Sequence, residues 1–106
     1  MLLAIDAGNT DITLGLFRGE ELIARWRRLT DRERSGAEYE AEVRDLFESS
    51  GMDRNEVDGI AIASVVPQVD HALRQIAASF SVEPLFVDHT TDTGLKLLYH
   101  PPSALG

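Results

Sequence analysis

The sequence predicts an α/β domain in which helices pack on a mixed β-sheet, with the elements in the order βββαβαβ. Three observations support this fold class. Two apolar, strand-like runs flank a short polar turn near residues 6–11, a third such run follows a second turn, and helical and strand-like patterns alternate after residue 35. The 106 residues, 43% of them apolar, suffice for one domain with one core.

The first part of the chain predicts an antiparallel meander. Residues 2–5 form a short buried strand, and the alternation in residues 12–17 is typical of a half-buried strand. A hairpin turn at residues 18–21 leads into a third strand at residues 22–29. The arginine-rich face of this third strand is expected to meet solvent. Its other face is predicted to carry Leu22, Ala24, Trp26 and Arg28.

The second part predicts two helices and two strands. Ser35 and Glu38 form a capping-box pattern at the start of the first helix, which ends at Gly51. Residues 59–64 are small and apolar on both faces, as in a central strand, and residues 85–87 form the fifth strand. Pro67 begins the second helix, and the chain after residue 87 is expected to be irregular and rich in strand. The predicted apolar stripes are Tyr39, Val43, Leu46 and Phe47 on the first helix and Leu73, Ile76, Ala77 and Phe80 on the second.

This order of elements, with right-handed crossovers, is that of a ribonuclease H-like domain. The turn between its first two strands then lies at the carboxyl end of a central strand, where α/β proteins tend to bind ligands. A dinucleotide fingerprint would need three spaced glycines and a following helix, and a P-loop would need Gly-Lys before Ser or Thr. Neither pattern is present in Asp6-Ala7-Gly8-Asn9-Thr10.

The residues of this turn fit a hairpin that binds phosphate. Gly8 lets the backbone approach an anion, Asn9 and Thr10 supply amide and hydroxyl donors, and the N–H groups of a tight turn can form an anion-binding nest. Asp6 cannot bind phosphate directly, so a hard cation such as Mg²⁺ would have to link the two. From these residues alone, a turn that is merely rich in Asx chemistry remains an equally weighted alternative.

Composition and charge restrict the class of protein. The formal net charge of −8 argues against unspecific binding to nucleic acid or anionic membranes. The absence of Cys suits a reducing cytosol, and the apolar start of the chain is too short for a signal peptide. We therefore expect a cytoplasmic protein without nucleic-acid or membrane partners. His71, His89 and His100 lack metal-ligand spacing and are expected at the surface.

The whole chain resembles the type III pantothenate kinases, which belong to the acetate and sugar kinase, Hsp70 and actin superfamily. The resemblance lies in MLLAIDAGNTDITLGLF at the start, WRRLTDRERSGAEY, ASVVP at residues 63–67 and TGLKLLYHPPSALG from residue 93. These segments occur in the family's order and at its spacing. The resemblance implies an actin-like ATPase domain, in which residues 1–106 are the amino-terminal ribonuclease H-like half of a two-domain kinase and the second domain is absent from this chain.

The resemblance also implies which residues form the site. ATP would be bound by Asp6, Ala7, Gly8, Asn9, Thr10, Asp11, Ile12 and Thr13. Tyr99 and Gly106 would contact pantothenate, and Asp6 would hold Mg²⁺ through water. No residue of the chain is assigned as catalytic, because the aspartate that acts as general base in the family is expected just beyond Gly106. Arg32 and Arg34 could reach a phosphate, but a solvated charged loop is the preferred interpretation.

The activity implied by the resemblance is transfer of the γ-phosphoryl group of ATP to pantothenate. The product would be 4'-phosphopantothenate, formed in the first step of coenzyme A biosynthesis by a homodimer that uses a monovalent cation, K⁺ or NH₄⁺. The 106-residue chain is itself expected to be inactive and to self-associate through exposed apolar surface. Two alternatives stay open: a non-catalytic, ATP-binding regulatory module of the superfamily, and another sugar or acetate kinase. Asp11, where the family often has Asn, opposes tight ATP binding.

Overall fold

A computed structural model describes residues 1–87, in which five strands form one sheet with the order β3-β2-β1-β4-β5. The strands are β1 (Leu2–Ala7), β2 (Asp11–Arg18), β3 (Glu21–Leu29), β4 (Gly59–Ser64) and β5 (Pro84–Phe86). The helices are α1 (Gly36–Ser50) and α2 (Pro67–Ser79), and a short 3₁₀ helix spans Arg54–Glu56. The first three strands pair antiparallel, whereas β1 with β4 and β4 with β5 pair parallel. The predicted element order and mixed sheet are confirmed.

Both helices pack on the same face of the sheet. The two connections, from β3 through α1 to β4 and from β4 through α2 to β5, run in the same direction across the sheet. Right-handed crossovers in one direction place their helices on one face. The main core lies between this face and the helices, and its strand residues include Leu3, Ile5, Leu14, Leu16 and Ile62. Among residues 1–87, neither helix is long and apolar enough to cross a membrane.

The second face of the sheet carries a smaller apolar cluster. Ala4, Phe17 and Ala63 are buried there, and Leu22 packs against them. The prediction that β2 is half-buried was therefore wrong. Thr13 is 3% exposed and Phe17 is 1% exposed, although both point away from the helices. β2 lies inside the sheet, between β1 and β3, and Phe17 packs on this face with Ala4 of β1 and Leu22 of β3.

A β-bulge in β3 changes the face on which its first residues lie. Leu16 pairs with Ala24 but Phe17 pairs with Leu22, so Ile23 is the additional residue. Leu22 consequently packs in the second-face cluster, whereas Ala24 and Trp26 pack against the main core. The prediction that Leu22 shares a face with Ala24 was wrong for this reason.

Helix α1 begins and ends with the local contacts that its sequence predicts. The Ser35 hydroxyl accepts a hydrogen bond from the Glu38 N–H at 3.1 Å, and the Glu38 carboxylate accepts one from the Ser35 N–H at 3.0 Å. Gly51 adopts the left-handed conformation, with φ 71°, that ends a helix at little cost for glycine. Hydrogen bonds to the Glu38 carboxylate from the Ser35 N–H and from the Ser35 hydroxyl lower the pKa of Glu38.

We predict that Ser35→Ala lowers the free energy of unfolding by about 1 kcal/mol, because the Glu38 N–H loses its capping partner. Trp26, the single tryptophan, packs against Phe47 of α1 with ring centroids 5.4 Å apart, so its fluorescence reports unfolding. The control is Ser49→Ala, which removes an exposed hydroxyl in the last turn of α1. It should change the free energy of unfolding by less than about 0.5 kcal/mol.

The capping box should also give a pH dependence. A lowered carboxyl pKa stabilises the folded state above the ordinary value of about 4.3, and this contribution is lost as the pH falls through the lowered pKa. Glu38→Gln should therefore lose more stability at pH 7 than at pH 3, in denaturation followed by Trp26 fluorescence. An equal loss at both values would contradict the capping role of the carboxylate.

Candidate phosphate-binding site

The candidate site lies at the carboxyl end of the central strand β1. Its residues Asp6 and Ala7 pair with Thr13 and Ile12 of β2 on one side. On the other side the same two residues pair with the last two residues of β4. Because β1 and β4 are parallel, the turn after β1 and the connection after β4 meet at the same edge of the sheet. The location predicted for the turn is thus the observed one.

The turn itself is tight and open to solvent. The Gly8 N–H donates to the Asp11 carbonyl at 2.8 Å, which closes the hairpin. A Cβ atom on Gly8 would lie 3.3 Å from the same carbonyl oxygen, so this close approach favours glycine at position 8. Asn9 and Thr10 are exposed, and within residues 1–87 their backbone N–H groups donate no hydrogen bond. These N–H groups are available to an anion.

The eight residues predicted to bind ATP differ in their solvent exposure. Asp6, Gly8 and Asp11 are partly exposed, and Asn9 and Thr10 are exposed. The side chains of the remaining three are buried, and a ligand could meet these residues only through their backbone. They are Ala7, Ile12 and Thr13, each at most 3% exposed.

The segment after β3 holds the turn from one side. Thr30 donates its hydroxyl to the Gly8 carbonyl at 2.7 Å and its N–H to the Thr10 carbonyl at 2.8 Å. Tyr39 of α1 fixes the following residue, because its hydroxyl donates to the Asp31 carbonyl at 2.7 Å and accepts from the Asp31 N–H at 2.8 Å. These contacts were not predicted from the sequence, since no periodicity marks a residue that binds backbone carbonyls distant in sequence.

The two arginines of the same loop have different partners. Arg34 forms an ion pair with Glu42 of α1 and lies over the Tyr39 ring, 5.3 Å from its centroid. Arg32 donates to the Asn9 side-chain oxygen at 2.9 Å, although it is exposed. The solvated charged loop preferred from the sequence agrees with the exposure of residues 31–33, whereas Arg34 is partly buried against α1. Only Arg32 places its guanidinium beside the turn, where its positive charge favours an anion.

Acidic groups near the turn act against an anion. Asp11 lies at the start of β2, and its carboxylate is 3.8 Å from Arg27 Nε. The arginine side chain is 59% exposed, so solvent screens this pair and its effect is small. Within residues 1–87, no group of three or more His, Asp or Glu side chains is close enough to hold a metal ion. Asp6 could act as one ligand of a hydrated cation, since carboxylate oxygen suits Mg²⁺.

The connection from β4 to α2 covers the other side of the turn. The Val65 N–H donates to the Ala7 carbonyl at 3.1 Å, although the Val65 side chain is 53% exposed. The Ser64 hydroxyl accepts from the Val66 N–H at 3.1 Å and shapes this bend. Pro67 then begins α2, as predicted. Tyr99 and Gly106, the residues expected to contact pantothenate, lie outside the described residues, as do His89 and His100; His71 is exposed as expected.

Comparison with known sequences identifies one family. The model of that family, type III pantothenate kinase, matches residues 2–106. A type III pantothenate kinase from Roseiflexus sp. (strain RS-1) is 44% identical over 107 residues, which cover 100% of this chain and 42% of that protein. One from Solibacter usitatus (strain Ellin6076) is 41% identical over 107 residues, which cover 100% of this chain and 41% of that protein. The chain spans about two fifths of the length of these curated relatives.

Comparison with solved structures identifies the fold. The ROK hexokinase from Thermus thermophilus superposes with a TM-score of 0.60 at 14% identity, over 82% of this chain and 34% of that chain. At so low an identity the likeness concerns the fold alone. It confirms the predicted ribonuclease H-like fold.

We predict that Tyr39→Phe lowers the free energy of unfolding by about 1 kcal/mol, because the Asp31 N–H and carbonyl lose a partly buried partner. The ring remains in the core, so Trp26 should keep its native fluorescence before unfolding. Tyr39→Leu, which also removes the ring, is expected to cost more. Unchanged stability of Tyr39→Phe in chemical denaturation would contradict the anchoring role of the hydroxyl.

Proposed function

Since this chain belongs to the type III pantothenate kinase family, we propose that it forms the amino-terminal, ATP-phosphate-binding half of such a kinase. The observation that carries the proposal is the open turn of residues 8–10 at the carboxyl end of the central strand. The turn begins two residues after Asp6, and the Arg32 guanidinium donates to its Asn9 side-chain oxygen. In the proposal the intact kinase transfers the γ-phosphoryl group of ATP to pantothenate and so begins coenzyme A biosynthesis.

The turn would act by positioning phosphate oxygens. Phosphoryl transfer asks a protein mainly for orientation and for neutralisation of charge. The N–H groups of Asn9 and Thr10 and the Thr10 hydroxyl are exposed donors on a backbone that its neighbours hold in place. Such preformed donors need little reorganisation when an anion binds. Asp6 through Thr13 make up this part of the site in the proposal.

Asp6 would supply a carboxylate next to the phosphates. Its place is the end of β1, opposite Thr13, and a hydrated Mg²⁺ held there would neutralise phosphate charge. The general base that accepts the pantothenate hydroxyl proton is proposed to lie beyond Gly106, and Tyr99 and Gly106 to contact pantothenate. We further propose that the intact enzyme is a cytoplasmic homodimer of two-domain subunits that uses K⁺ or NH₄⁺.

The deciding experiment measures pantothenate-dependent ADP release by the full-length polypeptide that contains this chain. The assay holds Mg²⁺-ATP, a potassium or ammonium salt, and pantothenate or no acceptor. We expect turnover only with pantothenate, and none from the 106-residue chain alone. Asp6→Asn keeps the size of the side chain but removes its charge, and should lower kcat by about 100-fold or more if it neutralises phosphate charge through the cation.

Each outcome of this assay bears on the proposal. ATP binding without turnover would replace it by a non-catalytic, ATP-binding module, and turnover with a sugar or acetate instead of pantothenate would assign another kinase of the superfamily. Turnover by the 106-residue chain alone would contradict the proposed division of the site between two halves.

We predict that Asp11→Asn strengthens Mg²⁺-ATP binding by about threefold at low salt, because it removes a negative charge beside the phosphates. It also releases Arg27, which lies 3.8 Å from this carboxylate. The gain should shrink as ionic strength rises. The control is Glu20→Gln, which makes the same change in net charge in the exposed turn at the far end of β2. Equal effects of both variants in calorimetric titration would contradict a local role of Asp11.

A further inference from the structure

We infer that Thr30 is a positioning residue for the nucleotide, because it fixes the peptide groups of the phosphate-binding turn at two points. Its hydroxyl donates to the Gly8 carbonyl at 2.7 Å and its N–H donates to the Thr10 carbonyl at 2.8 Å. The inference rests on the nucleotide site of the proposed function, but it does not depend on the identity of the phosphoryl acceptor.

Peptide geometry explains how these two contacts act on a ligand. In a trans peptide the carbonyl and the N–H of the next residue lie in one plane and point in opposite directions. The Gly8 carbonyl is held towards Thr30, so the Asn9 N–H points away from Thr30. The Thr10 carbonyl is held in the same way, which directs the Asp11 N–H. Thr30 thus sets the direction of the Asn9 N–H, which is one of the two proposed phosphate donors, without touching the ligand.

The position of Thr30 is itself fixed from the core. The Asp31 N–H, which shares a peptide plane with the Thr30 carbonyl, donates to the Tyr39 hydroxyl at 2.8 Å, and this hydroxyl donates in turn to the Asp31 carbonyl at 2.7 Å. Tyr39 is 4% exposed and packs in the main core. Hydrogen bonds on both sides of the Thr30–Asp31 backbone therefore connect α1 to the turn.

A hydroxyl is the group that position 30 requires. Valine has the shape of threonine but cannot donate to the Gly8 carbonyl, whereas serine keeps the donor and loses only a methyl group. In Thr30→Val the Gly8–Asn9 peptide is free to rotate, and the binding of phosphate must then fix it again. We expect the Kd for Mg²⁺-ATP to rise about five- to tenfold in Thr30→Val, as for one lost hydrogen bond, and less than about twofold in Thr30→Ser.

The test uses the full-length polypeptide as wild type, Thr30→Val, Thr30→Ser and Ser49→Ala. Ser49 is the matched control, since its hydroxyl also donates to a backbone carbonyl, that of Asp45 at 2.8 Å, but on the exposed end of α1. Calorimetric titration gives the Kd for Mg²⁺-ATP, and Trp26 fluorescence gives the unfolding midpoint. We expect the KM for ATP to rise in Thr30→Val with a smaller change in kcat, and neither to change in Ser49→Ala.

A merely structural role would lower the unfolding midpoint of Thr30→Val and leave the Kd of the folded protein unchanged, which would overturn the inference. A loss of affinity in Ser49→Ala as large as in Thr30→Val would also overturn it, as would a wild type that binds no nucleotide.

If Thr30→Val does not fold, Tyr39→Phe serves as a second variant, because it loosens only the anchor of Thr30. Its Kd for Mg²⁺-ATP should rise about twofold. A wild type that binds ATP without pantothenate-dependent turnover contradicts the proposed kinase, and the Kd comparison still decides on Thr30.

Discussion

The pairing of β1 along both of its edges is the constraint on which the rest of the structure depends. The strand is bonded antiparallel to β2 and parallel to β4, and its side chains alternate between the two faces of the sheet. This register places Ile5 in the main core and Asp6 on the opposite face, at the end of the strand. A shift by one residue would exchange the two, so the same hydrogen bonds fix the core and the position of the carboxylate.

The turn after β1 is held in place by segments that are distant in sequence. Its own side chains at Asn9 and Thr10 are exposed and contribute little packing. The segments after β3 and β4 bind its backbone carbonyls through Thr30 and Val65. The fold thus supplies rigid backbone donors, while the exposed side chains remain available to a ligand. This division agrees with a site whose main task is to hold phosphate in place.

The sequence predicted those features that depend on local patterns. The order of strands and helices, the capping box at Ser35 and Glu38 and the place of the turn follow from periodicity and turn chemistry. The bulge at Ile23 has no such signal, because the extra residue is apolar and continues the strand pattern. The burial of both faces of β2 depends on which strands become neighbours, and so does the contact of Thr30 with Gly8. Local sequence does not encode that choice directly.

The composition of β3 has a consequence for the behaviour of the domain in solution. Among the five described strands, β3 is the last on its side of the sheet, so its outer backbone groups lack a strand partner within residues 1–87. Such a strand can recruit another chain and start aggregation. Here Arg25 and Arg27 are exposed on one face, Arg28 is exposed on the other, and the bulge at Ile23 interrupts the regular spacing of the strand. Pairing a second copy along this edge would bring these arginines close together, and the like charges oppose such an association.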